Sequence, residues 1–176
     1  MIRRPPRSTH CISSAASDVY KRQNHELRNA FGSFATGITV ITTLDGEKTP
    51  QGMTANSFST VSLEPPLVSW CVGQESRLFD LFQQADHFAV NILSGNQKST
   101  SELFASSHND KFSQASWHSG AHDLPLLDGC ASQFTCATEH LYSGGDHIII
   151  VGRVLDFSNN NISPLIFHGG EYQKLK

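Results

Sequence analysis

Two segments carry apolar residues at the three- and four-residue spacing of an amphipathic helix. The first stripe consists of Leu27, Ala30, Phe31 and Phe34, and the second of Leu78, Leu81, Phe82 and Ala85. We expect the first helix to end near Gly37 and to cover an apolar surface. The second should begin at Ser76, because serine is a preferred N-cap. The capping-box spacing of Ser94 and Gln97 indicates a third, shorter helix.

Runs of β-branched and apolar residues between turn residues predict strands in most of the remaining chain. The runs are residues 38–43, 52–59, 67–72, 88–93, 131–142, 147–157 and 165–167, with another short one near Tyr172. The two longest runs flank Ser143-Gly144-Gly145-Asp146 and should form a hairpin, because glycine supplies the positive φ of a tight turn. Residues 106–128 show few periodic cues and are expected to form a polar loop.

The arrangement of these elements predicts the fold class. Six or seven strands with three helices that do not alternate regularly with them favour a β-barrel or sandwich over a doubly wound sheet. The chain also lacks the G-x-G-x-x-G sequence of a dinucleotide-binding Rossmann domain. We therefore expect a mainly β fold with a few flanking α-helices.

The first 23 of the 176 residues differ from the rest. They hold five basic residues and one acidic residue, whereas the remainder holds eight basic and fifteen acidic residues. Because residues 1–23 show no periodicity, we expect an unstructured leader, followed by one domain over residues 24–176. The leader's Arg- and Ser-rich composition is shared by transit peptides, but the string also resembles translated adapter sequence, and we interpret it as a translation or sequencing artefact. An acidic body argues against a nucleic-acid partner, since nonspecific binding needs clustered Lys and Arg.

Composition narrows the remaining classes of protein. No run of 18 or more apolar residues is present, so no membrane partner is expected. The four cysteines show no C-x-x-C spacing, which predicts reduced thiols in the cytoplasm. The nine histidines include His118 and His122 in a loop without a clear third ligand, so we expect no metal site.

Two short polar stretches could hold a small molecule. The first contains Thr54, Ala55, Asn56 and Ser57. Its hydroxyl and amide groups can hydrogen-bond a ligand, while the alanine lets a planar group approach closely. The second stretch, Ser76-Arg77, offers helix amides and a guanidinium that suit a phosphate. Taken separately, these stretches are more simply explained as the polar face of a strand and as an N-cap beside a solvated arginine.

Several motifs, in one order, resemble the flavin reductase-like family of FMN-binding split barrels. They are FATGITVIT at 34–42, GMTANSF at 52–58, SLEPPLV at 62–68, FAVNIL at 88–93, DKF at 110–112, GDH at 145–147 and GRV at 152–154, with a closing tyrosine at 172. The resemblance extends from about Leu27 to Leu175. It implies a homodimeric Greek-key barrel with a few flanking helices.

The resemblance also implies a site. FMN or FAD would lie across residues 54–57, with its phosphate near Ser57, Ser76 and Arg77, and NADH or NADPH would donate the hydride. His147 would be catalytic and would bind the nicotinamide, with Tyr172 as a second substrate-binding residue. Because His147 begins an apolar run after a turn, its ring should stand at the rim of the barrel and not in the core.

The function that the resemblance implies is an NAD(P)H:flavin oxidoreductase that supplies reduced flavin to a separate monooxygenase. Such an enzyme holds the two cofactors together, which is consistent with the lack of an evident acid, base or nucleophile. Two alternatives stay open: an electron-transfer protein with permanently bound FMN, and a pyridoxamine phosphate oxidase-like enzyme. The GDH motif and Pro65-Pro66 favour the reductase over the oxidase.

Overall fold

An antiparallel sheet of seven strands forms the body of the molecule. The structure is a computed structural model that describes residues 25–175. The strands are β1 (Thr36–Gly37), β2 (Thr39–Leu44), β3 (Pro50–Ala55), β4 (Ser59–Leu63), β5 (Pro66–Gly73), β6 (His87–Ile92), β7 (Trp117–Ser119), β8 (Pro125–Leu127), β9 (Ser132–Gly144), β10 (His147–Asn159), β11 (Leu165–His168) and β12 (Glu171–Lys174). The helices are α1 (25–32), α2 (Phe79–Gln84) and α3 (Lys98–Ala105), with short 3-10 turns at Phe112–Gln114 and Ala121–Asp123.

The large sheet has the order β3-β2-β6-β9-β10-β5-β4 and curls around an apolar interior. The interior side chains are Ile41, Ala55, Val68, Trp70, Val72, Phe82, Phe88, Val90, Cys136 and Ile150. Packing is close, because a Cβ at Gly152 would lie 2.5 Å from Cζ of Phe88. The edge strands β3 and β4 are joined by residues 56–58, and Ser57 Oγ accepts a hydrogen bond of 2.9 Å from the Cys71 amide on β5. The sheet is thus a barrel that is split between its edge strands.

A second layer covers the outer face of β2 and β6. It is built from α3, the β7–β8 pair and the small sheet β1-β11-β12. Its buried apolar side chains are Ile38, Val40, Leu93, Phe104, Leu127, Cys130 and Leu165. The expected class, mainly β with a few flanking helices, is confirmed, and so is the hairpin, whose turn places Gly145 at a φ of +75°.

The helix predictions are correct in number but not in detail. The helix α1 ends at residue 32, because Thr36 and Gly37 are extended and pair with β11. Its apolar stripe covers nothing within the described chain, since Phe31 and Phe34 are 69% and 76% exposed. The helix α2 begins at Phe79, three residues after Ser76.

Two strand and loop predictions are wrong. The run 52–59 is not one strand, because β3 ends at Ala55 and the chain turns before β4 starts at Ser59. Residues 106–128 are more than a polar loop. They form β7, β8 and both 3-10 turns, and they bury Leu124 and Leu127.

Three cysteines in the described range are unpaired. Burial raises the pKa of the Cys130 and Cys136 thiols to about 12. Burial also raises the pKa of Cys71, which is partly offset by its hydrogen bond to Ser57.

The expected leader, residues 1–23, lies outside the described residues and stays a prediction. Between residues 25 and 175, no helix has the length and apolar character needed to cross a membrane.

Candidate functional site

A cavity of about 470 Å³ opens beside β3. Its walls are β3, the turn before α2, the end of α3 and the segment that follows α3. The lining residues are 50–54, 76–78, 104–109, 111 and 112. Three of the predicted site residues, Thr54, Ser76 and Arg77, come together here although 22 residues or more of sequence separate the first from the others.

The charged side chains that line this cavity are cationic. Arg77 and Lys111 line it, and none of its described lining residues is Asp or Glu. The Lys111 ammonium donates hydrogen bonds to the carbonyls of Phe104 (2.8 Å) and Gly52 (3.4 Å). Burial lowers the pKa of Lys111, and the nearby Arg77 charge lowers it further. Two cations without a carboxylate between them favour an anionic ligand.

Arg77 also holds the cavity wall. Its Nη2 donates to the Ser107 carbonyl at 2.8 Å, and its Nη1 donates to Asn109 Oδ1 at 3.2 Å. A guanidinium has five N–H donors, so three remain for a ligand. The expected amides of a helix start are not supplied, because α2 has six residues and begins beyond Ser76. Instead Ser76 Oγ accepts a bond of 3.3 Å from the Leu78 amide.

Thr54 connects the cavity to the outer layer. Its hydroxyl donates to the Ser101 carbonyl on α3 at 2.7 Å. The buried Ser101 hydroxyl in turn lies 3.0 Å from the Tyr172 hydroxyl. Tyr172 packs its ring against Phe167 at a centroid distance of 5.5 Å and does not line the cavity. Its role toward substrate stays a prediction.

The other residues of the predicted 54–57 stretch lie elsewhere. Ala55 points into the barrel interior, where it is buried. Asn56 is exposed, and Ser57 bridges to β5 as described above. None of these three lines the cavity. That they contact a ligand likewise stays a prediction.

His147 stands at the end of the hairpin and is exposed, as predicted. It pairs with Gly73 on β5, and its Nδ1 lies 2.7 Å from Asp146 Oδ1. Hydrogen bonding to His147 lowers the pKa of Asp146. A Cβ at position 73 would be 3.3 Å from His147 Nε2, so glycine makes room for the ring. The Gln74 amide donates to the Asp146 carbonyl at 2.9 Å and so ties this turn to the segment that carries Ser76 and Arg77.

Sequence reasoning missed Lys111, Ser107 and Asn109 as parts of the cavity. The DKF motif marks Lys111, yet nothing in the sequence shows that the ammonium reaches Gly52, 59 residues earlier. Within the described range, no three His, Cys, Asp or Glu side chains are grouped as a metal site would require.

The donors of this cavity fit a phosphorylated planar molecule. Arg77 and Lys111 suit the phosphate, while Met53 and Phe104 supply apolar wall for a ring.

Comparison with known proteins gives a consistent result. The family model described as the flavin reductase like domain matches residues 31–176. The reductase component of a flavin-dependent trigonelline monooxygenase from Acinetobacter baylyi is 42% identical over 147 residues, which are 84% of this chain and 47% of that protein. An FMN reductase (NADH) from Agrobacterium fabrum is 38% identical over 149 residues, which are 85% of this chain and 84% of that protein. The chain thus spans about half the length of some curated relatives and most of the length of others.

A solved structure shows the same fold. The NADH:FAD oxidoreductase of Streptomyces globisporus, in complex with NAD and FAD fragments, superimposes with a TM-score of 0.84 at 36% identity. The match covers 88% of this chain and 94% of that one. The split-barrel prediction is therefore confirmed.

Proposed function

The chain belongs to the flavin reductase-like family, and from this premise we propose that it is an NAD(P)H:flavin oxidoreductase. Its substrates are FMN or FAD as hydride acceptor and NADH or NADPH as hydride donor. The observation that carries the proposal is the cavity beside β3, where Arg77 and Lys111 face an opening without a carboxylate. Such a site suits the phosphate of a flavin nucleotide.

Each group of residues has a role in this proposal. Arg77 and Lys111 bind the phosphate, with Thr54 and Ser76 beside it. The flavin extends from the cavity along residues 55–57, which follow Thr54 at the end of β3, with Ser57 toward the phosphate. His147 orients the nicotinamide, and Asp146 fixes the direction of the imidazole through its bond to Nδ1. Tyr172 is a second substrate-binding residue in this proposal, in addition to His147.

The chemistry in this proposal belongs to the cofactors. When bound, flavin supplies an acceptor, N5, for the hydride of a reduced nicotinamide. The chain supplies alignment, because hydride transfer needs the donor and acceptor atoms in near-attack geometry. This division of labour agrees with the absence of paired catalytic acids and bases among the described lining residues.

The partner in this proposal is a separate monooxygenase that consumes reduced flavin. The Acinetobacter relative is the reductase component of a flavin-dependent trigonelline monooxygenase, which supports this proposal. We also propose a homodimer. The outer end of the barrel exposes large apolar side chains, among them Leu63 at 90% and Phe157 at 69%. They border an apolar cavity of about 560 Å³ between β4 and β10. Exposed apolar area of this kind is typical of subunit interfaces.

The experiment mixes the purified chain with FMN or FAD and either NADH or NADPH without oxygen, and follows the flavin absorbance. We expect the flavin absorbance to bleach only when the chain is present. The reduced flavin should then be recovered in the filtrate after ultrafiltration. Bleached flavin that stays with the protein would favour the electron-transfer alternative. Unchanged absorbance with every pair would exclude the reductase function. Light scattering on the same sample gives the oligomeric state.

A further inference from the structure

The side chain of Asn91, on β6, uses all its hydrogen-bonding capacity. It is completely buried. Its amide nitrogen donates to the Val40 carbonyl (3.1 Å) and to Thr42 Oγ1 (3.2 Å). Its Oδ1 accepts from the Leu127 amide (2.9 Å) and from Gln133 Nε2 (2.7 Å). A buried amide with two donors and two acceptors satisfied is costly to replace.

These bonds connect β6 to the strand β8, which belongs to the excursion over residues 106–128. Gln133 Nε2 donates a second bond to the Leu127 carbonyl at 2.9 Å. Thr42 Oγ1 donates to the Pro125 carbonyl at 2.6 Å. Both ends of β8 are therefore attached to the outer face of the barrel, through Asn91 and its hydrogen-bond partners Thr42 and Gln133.

A continuous row of rings leads from β8 to the cavity. Trp117 on β7 pairs with Leu127 in the short sheet. Its indole contacts the Phe112 ring edge-on at 5.5 Å, and Phe112 contacts Phe104 edge-on at 5.1 Å. Phe112, Phe104 and Lys111 all line the cavity, and the Lys111 ammonium lies 5.9 Å from the centroid of the Phe104 ring. The position of this wall thus depends on where β8 is held.

We propose that Asn91 is a positioning residue for the phosphate end of the cavity. It fixes β8, and through β8 it fixes the wall that carries Lys111 and the two acceptors of Arg77. Loss of the Asn91 bonds frees the excursion while the apolar barrel interior stays intact. That the ligand is a flavin phosphate rests on the function proposed above. That Asn91 holds residues 106–128 against the barrel does not depend on that function.

The test compares Asn91→Leu with Val90→Ala, the neighbouring position on the same strand whose side chain points into the barrel. Two measurements are made: hydrogen exchange of peptides from residues 106–127, and the ratio of FMN to lumiflavin affinity, since lumiflavin lacks the phosphate. For Asn91→Leu we expect exchange in this segment to rise by about tenfold or more and the affinity ratio to fall by about tenfold. For Val90→Ala we expect a lower melting temperature with the affinity ratio of the wild type.

Further variants keep the inference falsifiable. Thr42→Val removes one hydrogen bond of Asn91 and the bond to Pro125, and it replaces Asn91→Leu if that variant does not fold. We expect smaller changes than for Asn91→Leu in both hydrogen exchange and the FMN to lumiflavin affinity ratio. Adding Lys111→Met to the Asn91→Leu chain should lower the FMN to lumiflavin affinity ratio little further, because both substitutions affect the same wall of the cavity. Equal effects of Val90→Ala and Asn91→Leu, or full additivity with Lys111→Met, would overturn the proposal. A wild type that binds FMN and lumiflavin equally would disprove the phosphate site, while the exchange data would still decide the attachment.

Discussion

The barrel interior and the cavity beside β3 are built on the same strand in opposite ways. Ala55 packs inside the barrel among aromatic and branched side chains, whereas Thr54 faces the cavity and α3. The interior is apolar and leaves no room even for a methyl group at Gly152. The cavity is open, holds two cations and is closed on one side by an excursion of the chain. The interior should therefore determine stability, and the cavity should determine binding.

The largest expected effect breaks the interior. Phe88→Ala removes a buried ring that contacts Trp70 at a centroid distance of 6.0 Å and fills the space above Gly152. Such a substitution lowers the free energy of unfolding by about 3–5 kcal/mol. Urea denaturation measures it, with Tyr142→Ala, an exposed ring outside the proposed subunit interface, as the control. A changed FMN to lumiflavin ratio in the folded Phe88→Ala chain would show that the two regions are not independent.

The next effect concerns His147, which begins β10 of the barrel and whose turn is tied to the cavity segment through Gln74. His147→Ala should slow anaerobic flavin reduction on the order of a hundredfold, because small misplacements of a hydride donor have costs of that size. Stopped-flow absorbance measures the rate, and the apparent NADH constant should rise. FMN affinity should stay near that of the wild type. A loss of flavin that matches the loss of rate would mean that His147 supports the hairpin and not the donor.

A smaller effect is expected in the cavity itself. Arg77→Ala should weaken FMN binding by about tenfold or more, since a charged hydrogen bond contributes roughly 1.5–3 kcal/mol. Lumiflavin binding should change little. Fluorescence titration with both ligands decides it, and Lys48→Ala, on the surface, is the control. Equal losses for the two flavins would place Arg77 away from the phosphate.

The smallest effect is a pH dependence. The pKa of Lys111 is lowered by burial, so its charge is lost at a pH below the 10.5 of an ordinary lysine. The preference for FMN over lumiflavin should therefore fall as the pH rises through this lowered pKa. In Lys111→Arg, which keeps its charge, the preference should persist to higher pH. Parallel titrations at several pH values test this, and identical profiles for both chains would exclude Lys111 from the phosphate site.

The interior was predictable from the sequence, while much of the cavity was not. Strand runs and helical stripes report which side chains avoid water, and Val90 and Ile150 fall where these periods place them. Polar residues report less. Asn91 and Thr42 are typical of an exposed strand face, yet both are buried beneath β8. The excursion that covers them is short-stranded and rich in turns, so its sequence shows no period.

The site was predicted in part, for a related reason. Ser76 and Arg77 could be named because one dipeptide carries both the hydroxyl and the charge, and the cavity includes them. The contribution of Lys111 depends on contacts with Gly52 and Phe104 that only the folded chain creates. The stripe of α1 was identified correctly as apolar, but whether a stripe is covered by its own chain or by another is not encoded in its spacing.

The buried thiols have a consequence for chemical durability. Reduced flavin that escapes into aerated water yields hydrogen peroxide, and peroxide attacks cysteine as the thiolate. With a pKa of about 12, Cys130 and Cys136 hold almost no thiolate at neutral pH and are shielded from solvent as well. Cys71 is more accessible, yet burial raises its pKa too. In the function proposed above, released reduced flavin would generate this oxidant beside the chain, and the described thiols would resist it over many turnovers.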